Sequence, residues 1–119
     1  MNYEEYEVSR GPKVYELAHA LAEYWPNKKW KIFKNEITWL DSSTSPTKEE
    51  VQAKVDEMNA AEPLRHLRAQ RNLKLKETDW WAVSDRTMTD AEKTYRQALR
   101  DLPANTSDPS NPTFPTKPS

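Results

Sequence analysis

Nine prolines and a single glycine punctuate this chain, and they limit its regular elements more sharply than its apolar pattern does. Proline fixes φ and has no N–H, so it suits the first turn of a helix or the stretch beyond its end. Gly11-Pro12 therefore reads as a boundary with Pro12 in a first helical turn. Val14, Leu17, Ala18 and Leu21 follow at the i, i+3, i+4, i+7 spacing of an amphipathic helix, and Pro26 limits it. The spacing predicts a helix from about Pro12 to Tyr24. Pro46 closes a Ser/Thr/Pro linker that starts at Asp41, Pro63 interrupts or restarts a helix, and Pro103 stops the last one.

Between these marks, Trp30-Lys31-Ile32-Phe33-Lys34 and Ile37-Thr38-Trp39-Leu40 flank Asn35-Glu36, which reads as a hairpin turning at that pair. A lone hairpin is marginal in water, so it must pack on a helix or gain strands from another chain. Thr47 with Glu50 makes a capping box, and Val51, Val55 and Met58 form a narrow apolar stripe behind it. Leu64 to Glu77 is a further helical segment that Thr78-Asp79-Trp80-Trp81 breaks. Thr89 with Glu92 caps a last helix whose face is Ala91, Tyr95, Ala98, Leu99 and Leu102, with Glu92 placed to pair Arg96. The expected fold is α+β and mostly α. It has an acidic arm over 1–11, a helix and β-hairpin unit over 12–41, a three-helix module over 47–103 and an extended proline-rich arm over 104–119.

Hydrophobic residues make up 35% of the 119, so the core must be thin and aromatic side chains must supply much of it. The net charge of −1 excludes a chain-wide basic field for nucleic acid or an anionic membrane. Basic residues do gather at Arg65, Arg68, Arg71, Lys74 and Lys76, and at Lys28, Lys29, Lys31 and Lys34 beside Trp30 and Phe33. The flanking acidic helices can neutralise them, so nucleic acid is disfavoured as a partner. Without cysteine there is no disulfide, thiolate zinc site or thiol nucleophile. No apolar run is long enough for a membrane span, and the polar N-terminus has no leader-like core, so the expected location is the compartment of synthesis or an assembled particle. His19 and Glu23 share a helix face, but two ligands do not make a metal site. One glycine cannot build a phosphate cradle, and Glu49-Glu50 suit a helix N-terminus without catalysis. No catalytic residue, cofactor or metal is expected.

Three stretches carry a longer pattern: Leu67-Arg68-Ala69-Gln70-Arg71-Asn72-Leu73-Lys74-Leu75, then Glu77-Thr78-Asp79-Trp80-Trp81, then Tyr95-Arg96-Gln97-Ala98-Leu99-Arg100-Asp101-Leu102-Pro103. Together they resemble the phage tail assembly chaperone-like domain, over about residues 47–103. The resemblance implies a tailed-bacteriophage context and protein partners: tail tube, baseplate or fibre subunits, or further copies of the chain in a symmetric assembly. It leaves open a part retained in the virion or a transient chaperone made and used in the host cytoplasm. The arm, hairpin and tail read as docking devices and favour the retained virion component.

The residues themselves add two expectations. Leu64, Leu67, Arg71 and Leu75 share a helix face, so a charge in that stripe needs a partner. Asp79, Asp85 and Asp101 are the candidates, and an Arg71 pair with Asp79 or Asp101 would hold the module in register; the alternative is an Arg71 head that reaches water. Trp80 and Trp81 cannot both enter one small core, and Trp25, Trp30 and Trp39 crowd the hairpin. Trp30, Phe33, Trp39, Trp81 and Phe114 are the expected partner-interface residues.

Overall fold

A computed structural model describes residues 2–41 and 43–119; Met1 and Ser42, the latter inside the expected linker, lie outside the described residues. The elements run α1 (Tyr3–Ser9), α2 (Leu17–Tyr24), β1 (Trp30–Phe33), β2 (Glu36–Trp39), α3 (Lys48–Glu77), a 3-10 turn (Asp79–Ala82) and α4 (Asp90–Asn105). The fold is α+β and mostly α. It divides into two compact units, one of residues 13–62 and one of residues 1–12 with 63–119. The boundary between them falls inside α3, within the span of 47–103 expected as one module.

In the unit of residues 13–62, the first turn expected at Pro12 does not form. The Lys13 N–H donates to Glu62 Oε1 at 2.9 Å, and the Tyr15 N–H donates to Asn59 Oδ1 at 2.7 Å. Asn59 Nδ2 returns a bond to the Tyr15 carbonyl at 3.2 Å, so one amide side chain satisfies both sides of that residue's backbone. These long-range bonds divert Lys13 to Glu16 from helix, and α2 starts only at Leu17. Val14 is 78% exposed, off the predicted stripe.

The hairpin turns at Lys34-Asn35, one residue earlier than expected, with φ of 49° and 63°. Two left-handed residues in a two-residue loop match the twist of the strands, and asparagine tolerates that conformation. The register sets Trp30 opposite Trp39 and Ile32 opposite Ile37, which puts all four on one face. That face packs on Leu17, Ala20, Leu21, Val51 and Val55, with Trp25 and Met58 alongside. The hairpin is therefore stabilised by its own helices. Beyond β2, Asp41 accepts from the Lys29 N–H at 3.0 Å, from Lys28 Nζ at 3.0 Å and from the Ser43 hydroxyl at 2.8 Å. These donors, the backbone one foremost, hold its carboxyl well below the usual carboxylate range.

In the other unit, the expected acidic arm is instead α1. Asn2 accepts from the Glu5 N–H at 2.8 Å while Glu5 accepts from the Asn2 N–H at 3.3 Å, a capping box hidden in the acidic composition. Lys76 of α3 reaches Glu4 at 3.3 Å. Pro63 neither breaks nor starts a helix: α3 runs through it for 30 residues. Interior proline costs a helix about 3 kcal/mol. Burial on either side outweighs this, with Val51 and Val55 before Pro63 and His66 and Leu67 after it. Pro103 likewise lies inside α4, which ends two residues later. The core of this unit is Trp81, Tyr95 and Leu99, with Leu75, Met88 and Phe114 packed against it.

Candidate partner-binding surface

The turn between α3 and α4 is built by two arginines. Where α3 ends, fully buried Thr78 donates its N–H to the Leu75 carbonyl at 3.1 Å. Its hydroxyl lies within 3.2–3.3 Å of the Leu75 and Lys74 carbonyls. Arg96 of α4 adds bonds to the Leu75 carbonyl at 2.9 Å, Thr78 Oγ1 at 2.7 Å and Asp79 Oδ1 at 3.0 Å. A cation at a helix C-terminus also favours the macrodipole, so this clamp joins the end of α3 to the middle of α4.

Arg86 makes the second clamp. It forms a two-pronged contact with Glu92 at 3.1 and 2.7 Å and donates to the Trp81 carbonyl at 3.2 Å. Glu92 also accepts the Thr89 N–H at 2.9 Å in the capping box of α4. Arg86 and these donors hold its carboxyl below the ordinary glutamate value. The Arg86 guanidinium lies 4.7 Å from the centroid of the Trp80 ring. Between the clamps the two tryptophans diverge, their rings 6.2 Å apart and inclined at 75°. Trp81 is 4% exposed and Trp80 57%, with Val83 exposed beside it. The result is a rigid knuckle that presents an indole, an arginine and an aliphatic side chain to solvent.

This arrangement corrects several expectations. Arg71 pairs with neither Asp79 nor Asp101, nor with Asp85. Its guanidinium donates to the Asn72 side chain at 3.1 and 2.9 Å and to the Arg100 carbonyl at 3.4 Å, near enough to the surface to need no counter-charge. Asp79 belongs to Arg96, and Asp101 accepts from Gln97 at 3.0 Å. Glu92 faces Arg86 rather than Arg96. The sequence signal for Arg96 was its position next to Tyr95 and three residues before Leu99, at the edge of the apolar face. Among the expected interface residues, Trp81 is core, with Trp80 as its outward neighbour. Trp30 and Trp39 are half-buried against their own helices, and Phe114 against its own module. Phe33 alone of the five stands well out, at 72% exposure.

Among the described residues, no group of three or more His, Asp or Glu could hold a metal ion. His19 acts locally, its Nδ1 accepting the Glu16 N–H at 2.9 Å and its ring meeting Tyr15 edge-on at 5.5 Å. The basic stretch of α3 is partly engaged within its unit, by Glu4 for Lys76 and by the Phe114 ring for Lys74. No helix among the described residues is long and apolar enough to cross a membrane.

Residues 64–119 match the family model described as phage tail assembly chaperone protein. The matched segment contains both arginine clamps, the Trp80 knuckle and the arm that carries Phe114. It starts one residue after the boundary between the two units. No curated protein and no solved structure matches the chain. The family named is the one that the residue pattern resembles, matched over residues 64–119 where the resemblance was placed at about 47–103.

Proposed function

With residues 64–119 matched to the phage tail assembly chaperones, we propose that this segment is a non-enzymatic docking module that holds a tail polypeptide during assembly, with Trp80 as its anchor. The exposure of Trp80 on a turn pinned at both ends carries the reading. A large indole left in water beside a stacked arginine is the side-chain pair most often dominant at protein contacts, and its rigidity limits the ordering cost of binding. The test is binding of purified tail-tube, baseplate and fibre subunits from the same phage to the chain and to Trp80→Ala. The variant should bind the cognate subunit about 30-fold more weakly, the loss expected of a 2 kcal/mol anchor. Its unfolding midpoint should be unchanged. Equal binding by both proteins would sink the proposal.

Two features favour a transient cytoplasmic factor over a part retained in the tail. Lys76 of α3 holds Glu4 of the N-terminal segment, and the hairpin's indoles pack within their own unit, so both are already engaged within the chain. The retained virion component draws its support from Phe33 and Leu40, exposed on the hairpin unit and available for a second neighbour. Mass spectrometry of purified particles separates the two. Absence of the chain supports the transient factor, and stoichiometric recovery supports the virion component.

A further inference from the structure

The arm that follows α4 repeats a proline every third residue: Pro109, Pro112, Pro115 and Pro118. Three residues make one turn of polyproline II, so Pro112, Pro115 and Pro118 suit one edge of an extended segment, while Pro109 lies in the turn that the Asn111 N–H closes on the Asp108 carbonyl. Burial follows the same period. Thr106 and all four prolines are partly buried, while Ser107, Asp108, Ser110, Asn111, Thr113, Thr116 and Lys117 are exposed. The one exception is Phe114, which packs on Trp81, Tyr95 and Leu99. Lys74 Nζ lies 5.1 Å from the Phe114 ring, and Lys117 Nζ lies 5.9 Å from the Trp81 ring. A proline edge against aromatic side chains is the recognition mode of proline-rich ligands.

The arm is held loosely. Hydrogen bonds of residues 107–119 stay inside the arm, from the Asn111 N–H to the Asp108 carbonyl and from Ser110 to the Asp108 carboxylate. Among the described residues, none joins this stretch to a helix. A groove of about 590 Å³ remains between Thr113–Pro115 and the Gln97, Asp101 and Asn105 edge of α4. The groove is open to solvent. An occupant without hydrogen bonds to the helices and with one side open can leave and return.

We propose that the face formed by Trp81, Tyr95 and α4 is a binding site for a proline-every-third segment with an aromatic anchor, and that it takes the arm of a second copy of this chain in exchange for its own. The second copy is the occupant argued here because its arm carries the same side chains in the same order as the arm already seated. Tethering gives the chain's own arm a high effective concentration, so exchange becomes substantial only where copies are crowded. The site uses Trp81, whose ring points into the core, rather than the exposed Trp80, and does not depend on the reading given to Trp80.

Two experiments test it on the full chain. A fluorescent peptide of residues 107–119 is titrated against the wild type and against Phe114→Ala, whose own arm has lost its anchor. The peptide should bind the variant and bind the wild type at least about tenfold more weakly, because the tethered arm competes there. No binding to a variant that keeps its helical circular dichroism overturns the site, as does equal binding to both proteins. The second experiment uses the absence of cysteine from the chain. Copies with Asn105→Cys are mixed at high concentration with copies carrying Thr113→Cys, the two positions lining one groove. A disulfide-linked heterodimer that Phe114→Ala in the Thr113→Cys copy suppresses supports exchange between copies. Linkage no greater than that of a pair with Thr38→Cys, exposed on the hairpin, overturns it.

Discussion

Replacing Arg96 with methionine removes the clamp between α3 and α4 while keeping most of the apolar stem. The Arg96 side chain is 13% exposed, and its bonds to Leu75 and Thr78 lie in buried surroundings. Hydrogen bonds to a charged group contribute about 1.5–3 kcal/mol each. The third bond ends on the Asp79 carboxylate, which is 64% exposed, so that ion pair adds only about 0–1 kcal/mol. No orphan follows the substitution, since the Leu75 carbonyl keeps the Thr78 N–H and the Thr78 hydroxyl keeps a carbonyl. That places the expected loss at the low end of the sum, about 3–4 kcal/mol. Arg71→Met, which gives up contacts near the surface, should cost no more than about 0.5–1 kcal/mol. Urea unfolding followed by tryptophan fluorescence and far-ultraviolet circular dichroism measures both. Losses of similar size, or an Arg96→Met loss below about 0.5 kcal/mol, would refute the assignment of the clamp to Arg96.

The other predictions concern the unit of residues 13–62 and α3. Asp41 keeps its charge more tightly when folded than unfolded, so its contribution is present above the ordinary aspartate pKa and fades as pH falls toward the depressed folded value. Acid titration of the hairpin's fluorescence should show this loss below about pH 4, and Asp41→Asn should remove that pH-dependent component. Asn59→Ala removes the bonds from that side chain to the Tyr15 N–H and carbonyl and should destabilise by about 1–3 kcal/mol. Asn59→Asp, which keeps the acceptor and loses the donor, should fall between in the same melt. Pro63→Ala restores an N–H facing the Asn59 carbonyl and should raise the unfolding midpoint by up to about 3 kcal/mol of stability. A lowered midpoint would mean that the fold depends on proline at that position.

Much of the local architecture was legible from residues alone. The capping boxes at Thr47/Glu50 and Thr89/Glu92 form as read, and Val51, Val55, Tyr95, Leu99 and Leu102 are buried. The same local rule fits Asn2 and Glu5, inside a segment whose composition reads as an acidic arm. The hairpin turn was also within reach. Turning at Asn35-Glu36 sets Lys34 opposite Ile37 and Asp41 opposite Trp30, whereas turning at Lys34-Asn35 pairs indole with indole and isoleucine with isoleucine. The family resemblance rests in part on Thr78-Asp79-Trp80-Trp81 and on Tyr95 to Pro103, yet Arg71 in its first stretch bonds Asn72 and the Arg100 carbonyl rather than an aspartate.

What sequence alone determined here is whatever closes within about four residues: caps, the two faces of a strand and the apolar stripe of a helix. Those follow from bonds and side-chain spacings that any isolated segment would show. Tertiary structure chose between Trp80 and Trp81, gave Asp79 to Arg96 instead of Arg71, diverted Lys13 to Glu16 out of helix and carried α3 and α4 through prolines. Each of those outcomes compares a local cost of a few kcal/mol with burial or hydrogen bonds contributed by residues far along the chain, and only the folded packing supplies the second quantity.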